Sequence, residues 1–215
     1  MSGRERILAR LRRTIGAAEG REAAVAARLA GQGVAAPRPA QGSQEGEARL
    51  QQFEAKARAA DATVTRIPDV AALPAALADE LRRRNLPAAV RTGADPMFRG
   101  LDWGAVERSE GVGRIEETAT LSRAEFGMAE TGTLVLASGP DNPVTLTFLG
   151  ETHFVALPAA DVMAGFEDMW AAFRARGLDP RTTNMVTGPS RSADIGQTLQ
   201  LGAHGPVALH IFLIG

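Results

Sequence analysis

From residue 47 onward the chain alternates short β-branched runs with stretches of helical spacing, and this alternation limits the fold more than any other feature. Residues 63–67 (Thr63, Val64, Thr65, Arg66, Ile67) read as a strand. Residues 69–85 place Leu73, Leu77 and Leu81 four apart, the stripe of a helix lying on a sheet. Residues 88–92 read as the next strand. Strand, helix and strand in succession predict an α/β fold: a parallel-rich sheet flanked by helices. Residues 47–60 precede this unit as a helix with Leu50, Phe53 and Ala57 on one side.

The middle of the chain is less regular. Residues 93–111 read as a long loop anchored by Met97, Phe98, Leu101 and Trp103. A strand at 118–121 and a short helix at 122–129 follow, then a strand at 131–137. After the turn 138–142, Val144, Leu146 and Phe148 alternate with Thr145 and Thr147, which predicts the second strand of a hairpin. Residues 153–157 form another strand. A helix is expected over 159–176, with Val162, Met163, Phe166, Met169, Trp170 and Phe173 on one face and Gly177 as its stop. A strand at 183–187, a short helix after the turn 188–190 and a buried strand at 207–214 complete the reading.

Residues 2–30 read as a helical arm, with Ile7, Leu8, Leu11 and Ile15 at helical spacing and arginines on the polar face. Residues 31–46, rich in Gly and Pro, read as a linker, so the expected organisation is an arm and linker over 1–46 and an α/β domain over 47–215. The segment Gly31-x-Gly33-x-x-Ala36 lacks the preceding strand and following helix of a dinucleotide-binding loop. Residues 1–60 carry net charge +5 and the rest −6, for a total of −1. No aromatic residues interleave the arginines of the arm, so a nucleic-acid surface is not indicated. The arm reads instead as a solvated face over an element that packs on a neighbour or partner. The 215 residues include no cysteine and only three histidines, His153, His204 and His210. Disulfides, thiolate catalysis and a cysteine-ligated metal or iron–sulfur site are therefore excluded from this chain. No apolar run approaches the roughly 20 residues that span a bilayer, and no apolar segment follows the charged N-terminus, so a cytoplasmic location is expected.

Three segments are polar or glycine-rich where packing does not call for it. In Ala129-Glu130-Thr131-Gly132-Thr133, a carboxylate and two hydroxyls flank a glycine that lets a backbone or a ligand approach. Glu130 is a candidate general base, nucleophile or ligand-orienting carboxylate, or else a cap on the turn. In Thr187-Gly188-Pro189-Ser190-Arg191-Ser192-Ala193-Asp194, a strand-to-helix turn would aim backbone N–H groups, the hydroxyls and the Arg191 fork at one anion, a carboxylate or a phosphate. An ordinary capped helix is the alternative. In Gly202-Ala203-His204-Gly205-Pro206, His204 sits in a tight turn, a candidate acid/base. His153, at the start of a strand, reads as an edge or site-lining residue, and His210, inside an apolar run, as a core histidine.

Taken in this order, residues 129–133, the strand containing His153, residues 187–195 and residues 202–206 resemble the lactate-utilization protein C family and its LUD domain. The resemblance covers roughly residues 47–215, with Ser192 where the family pattern has Thr. It implies a fold like that of the sugar-phosphate isomerase and CoA-transferase superfamily, and a role in oxidising L-lactate to pyruvate. It also implies partners: an iron–sulfur protein and a cysteine-rich subunit that would carry the electron-transfer clusters this cysteine-free chain cannot hold. The matched motif positions supply the candidate site. Glu130 and His204 are the catalytic candidates. Thr131, Gly132, Thr133, His153, Thr187, Gly188, Ser190, Arg191, Asp194 and Gly205 are the ligand-binding ones. In the catalytic version Arg191 holds the lactate carboxylate and His204 takes the hydroxyl proton. The alternatives are a stand-alone acyl-CoA transferase or sugar-phosphate isomerase-like enzyme, with Glu130 as nucleophile or base, and a non-catalytic interaction subunit. Self-association stays open.

Overall fold

The structure, a computed structural model, describes residues 2–15, 20–31, 39–193 and 199–215. The chain divides into two compact units, Met1–Arg38 and Pro39–Gly215. The first holds two helices, α1 (Gly3–Ile15) and α2 (Arg21–Gly31), where the sequence suggests one. Gly20 forms the turn that opens α2. Residues 32–38, with most of the Gly31-x-Gly33 segment, lie outside the described residues.

The second unit opens with α3 (Gly46–Ala59), β1 (Thr63–Ile67), α4 (Leu73–Arg83), β2 (Ala89–Thr92), β3 (Glu107–Glu110) and β4 (Ala119–Arg123). It continues with β5 (Phe126–Met128), β6 (Thr133–Ala137), α5 (Val144–Phe148), β7 (Thr152–Pro158), β8 (Val162–Met163) and α6 (Phe166–Ala175). It ends with β9 (Thr183–Val186), β10 (Arg191–Ala193), β11 (Leu199–Leu201) and β12 (Ala208–Ile214). Six strands form one wholly parallel sheet in the order β1-β12-β7-β4-β2-β3. A second sheet, ordered β8-β5-β6-β9, is mixed.

The period-two rule explains the layers. On β7 and β12, Val155, Leu157, Leu209, Ile211 and Leu213 face a core shared with Phe53 and Ala57 of α3 and with Leu134 and Leu136 of β6. Their neighbours Phe154, Ala156 and Phe212 face the other way, onto Leu73, Leu77 and Leu81 of α4. The second sheet turns Phe126, Met128 and Val135 outward, and Met169 and Phe173 of α6 cover them. The parallel-rich sheet flanked by helices is thus present, with the second sheet sharing one of its faces with α3.

Five local readings change, each because a tertiary partner outweighs local propensity. Residues 122–129 hold the end of β4 and the strand β5, not a helix: β5 pairs with β6, and Gly127 is flanked by Leu157 and Phe53. Residues 144–149 are a single helical turn, α5, because both edges of β6 are taken by β5 and β9. The helix expected over 159–176 begins only at Phe166. Its first part is β8, and the backbones of Met163 and Ala164 accept N–H bonds from Ala129 and Glu130. The charged run 107–110, read as loop, is β3, an edge strand held by backbone pairing to β2. Beyond 188–190 comes β10, paired antiparallel with β11, where a helix was expected; residues 194–198 lie outside the described residues.

Two glycines set the distance between α3 and the second sheet. Gly132 and Gly188 both have φ of 72°, the left-handed region that side chains avoid. A Cβ on Gly132 would overlap the backbone of Ala57, and one on Gly188 would overlap the carbonyl of Ala60. Gly132→Ala combines backbone strain with overpacking and is expected to cost about 3 kcal/mol, read as a lower urea midpoint with an unchanged slope.

Candidate functional site

The turn after β9 and the turn before β12 flank a cavity of ≈ 180 Å³. Its wall is built from α5 (Thr147, Phe148), β7 (His153), the end of β9 (Met185, Val186), the turn 188–190, the turn 204–206 and Leu209 of β12. Two backbone bonds clamp the turns together: the Ser190 N–H donates to Pro206 O at 2.9 Å, and the Gly202 N–H to Ser190 O at 3.1 Å. The Val207 N–H donates to Glu151 O at 2.8 Å and draws the start of β12 to the start of β7. The cavity therefore sits at the amino ends of β7 and β12, although the turn 187–190 leaves the carboxyl end of β9.

His153 is the polar centre of this wall. It is the second residue of β7, paired in register with Leu209 on one side and Thr120 on the other, so it lies inside the sheet and not at its edge. The residue is fully buried, and neither ring nitrogen has a hydrogen-bond partner among the described residues. Burial pushes its pKa down to about 3, so the ring is neutral at pH 7. Ser190 and Gly205 close the wall beside it, and exposed His204 also lines the cavity.

The other motif residues gather elsewhere. Thr131 Oγ1 and Thr133 Oγ1 are 2.7 Å apart, and Thr133 Oγ1 and Thr187 Oγ1 are 2.6 Å apart, a hydroxyl chain that joins the first motif to the second. Gly132 lets a backbone approach, and that backbone is α3. Arg191 pairs with Asp61, which follows α3, and does not line the cavity. The helix dipole expected at 190–191 is absent, because β10 begins there. Glu130 forms the β5–β6 turn; its Oε2 lies beside Gly42 and Gly165, away from the cavity. Asp194 lies outside the described residues. Sequence reasoning brought out His153, Gly188, Ser190, His204 and Gly205 but missed the apolar wall of Phe148, Met185 and Leu209. A strand read where α5 forms hid Phe148.

His210 is buried on the opposite face of the sheet. Its Nδ1 lies 2.7 Å from Thr63 Oγ1 and 3.6 Å from Glu80 Oε2. Burial lowers its pKa to about 4, against the opposing pull of Glu80.

Comparisons with known proteins agree with the motif reading. Residues 115–214, which contain all three motif turns, match the LUD domain. A lactate utilization protein C of Bacillus licheniformis is 32% identical over 111 residues, covering 49% of this chain and 46% of that protein. The protein of the same name from Bacillus subtilis is 31% identical over 118 residues, covering 53% and 49%. An uncharacterized protein of Neisseria meningitidis is 37% identical over 98 residues, covering 45% and 42%. The matches span about half the length of these relatives. A crystal structure of a DUF162 family protein from Deinococcus radiodurans superposes with a TM-score of 0.60 at 21% identity, covering 78% of this chain and 96% of that one, and shows the same fold.

The two depressed histidines make stability depend on pH. Below the ordinary imidazole value of 6.5 the unfolded chain binds a proton at each and the folded chain does not. Stability is therefore full above that value and falls as pH drops toward about 3 for His153 and about 4 for His210. Each contributes a slope of up to about 1.4 kcal/mol per pH unit. Urea unfolding between pH 6 and 4 is expected to show this slope, and His153→Leu to remove about half of it. Motif order and the family comparison lead to one conclusion: residues 115–214 of this chain match the LUD domain.

Proposed function

We propose that the chain serves lactate utilization as a small-ligand subunit whose cavity around His153 takes a 2-hydroxy or 2-oxo carboxylate. One observation carries the reading: a buried neutral imidazole, both of whose ring nitrogens lack a partner among the described residues, lines a cavity of small-molecule size. A buried polar group without a partner is costly, and a ligand that supplies the partner recovers that cost. Neutral imidazole offers one N–H and one lone pair. A hydroxyl on the carbon beside a carboxylate can use the lone pair, donating its proton to that ring nitrogen. The apolar wall of Phe148, Met185 and Leu209 suits a short alkyl group.

With its pKa held near 3, His153 orients the hydroxyl and holds a proton too weakly to store it. Exposed His204, which also lines the cavity, can receive the hydroxyl proton and pass it to solvent. Oxidation of a 2-hydroxy acid releases two electrons and two protons. This chain has no cysteine to ligate a cluster, so iron–sulfur clusters on partner subunits would be the group that accepts the two electrons. The names of the relatives from two Bacillus species support lactate as the ligand.

The test is L-lactate-dependent dye reduction in extracts of cells lacking this chain. Added wild-type protein is expected to restore activity, and His153→Leu and Ser190→Ala to restore it at least about tenfold less well, with thermal stability at pH 7 no lower than wild type. Glu130→Gln, outside the cavity, is expected to restore it fully. Unchanged reduction in extracts lacking the chain would overturn the reading.

A further inference from the structure

The parallel sheet offers a second place for a ligand, at its opposite end. From the carboxyl end of β2 the chain runs outward to β3. From the carboxyl end of its neighbour β4 it runs through β5 and β6 to β7, on the other side. Adjacent parallel strands whose onward connections diverge leave a crevice between their carboxyl ends, where open α/β sheets bind ligands. Here the crevice is a cavity of ≈ 410 Å³. Asp95 follows β2, Arg123 and Glu125 stand at the end of β4, and Asn142 lies in the turn after β6; all four line the cavity.

Two buried polar atoms there have no hydrogen-bond partner among the described residues. Asn142 is 9% exposed, and its amide nitrogen donates to the carbonyls of Arg123 (3.3 Å) and Ala137 (3.2 Å). Those two acceptors fix the orientation of the amide and leave Oδ1 unpaired. Arg123 Nε is also buried and unpaired. The terminal nitrogens of Arg123 stay 3.9 Å from Asp95 Oδ2 and 3.6 Å from Glu125 Oε2, too far for hydrogen bonds. Asp95, itself buried, uses its other oxygen on the Met97 N–H at 2.8 Å. The cavity thus holds an idle acceptor, an incompletely used guanidinium and a buried carboxylate.

Charge selects the ligand. Asp95, Glu125, Asp141 and Asp179 line the cavity against Arg123. Even with Arg176 3.6 Å behind Glu125 the balance is acidic. A simple anion meets that field without compensation. A ligand carrying an ammonium beside a carboxylate satisfies both signs. We propose that this crevice binds a free α-amino acid, its carboxylate on the Arg123 guanidinium and its ammonium between Asp95 and Asn142 Oδ1. The site is separate from the His153 cavity, and the proposal stands whether or not that cavity takes lactate.

Calorimetric titration of the full chain with each standard amino acid tests this. At least one is expected to bind saturably. The matched 2-hydroxy acid, which lacks the ammonium, and the matched amine, which lacks the carboxylate, are each expected to bind at least about tenfold more weakly. Asp95→Asn keeps an acceptor for the Met97 N–H while removing the charge, and is expected to weaken binding about tenfold, as is Arg123→Gln. If Arg123→Gln does not fold, Asp95→Asn carries the test alone. No binding of any amino acid up to about 10 mM, a 2-hydroxy acid binding as tightly as its amino acid, or undiminished binding by Asp95→Asn would overturn the proposal.

Discussion

The last strand holds the second unit together. β12 lies between β1 and β7, so β1 pairs into the parallel sheet only through β12, which joins it to the other four strands. It contributes to both cores: Leu209, Ile211 and Leu213 to the one shared with α3, Phe212 to the one under α4. A parallel pairing between residues 63–67 and 210–214 closes a very long loop, and that entropy is repaid only when both faces are covered. The cavity depends on the same strand, because the turn that enters β12 carries His204, Gly205 and Pro206. Core formation and site formation are thus one event at the C-terminal end of the chain.

The site works against this stability. A fully buried imidazole without hydrogen bonds destabilises the fold wherever it sits, and a leucine would pack there with no such penalty. It stands at the start of a central strand, on the face that otherwise carries Val155 and Leu157, where the proposed ligand would supply the missing partner. The fold supplies the rigidity that such a group needs. His153 is held between two paired strands, and the clamped turns fix the wall around it. The loosely paired arginine and idle asparagine at the far end of β2 and β4 repeat the pattern on a smaller scale.

Much of the core was legible because it is periodic. Leu73, Leu77 and Leu81 at spacing four, and Thr63 to Ile67 as a β-branched run, read directly as the elements they become. The misread segments share one cause. In residues 122–129 and 144–149 the local pattern is ambiguous, and the choice between helix and strand was made by which sheet edges were already occupied. β3 gave no apolar signal at all, since an edge strand of charged residues is held by backbone bonds. Of the site, the polar turns were legible and the apolar wall was not, because Met185 and Leu209 look like any other core residues until a cavity opens beside them.

By itself the sequence determined the fold class, the absence of thiolate chemistry, and the three polar turns whose order matches the LUD domain. These are properties of residue type and spacing, which the chain carries locally. Only the tertiary structure decided which of those turns meet. Glu130 and Arg191, close in the motif reading to His204, are drawn off to Gly165 and Asp61, while His153 and Ser190 converge on one wall. Convergence depends on the packing of strands far apart along the chain, and no local spacing encodes it.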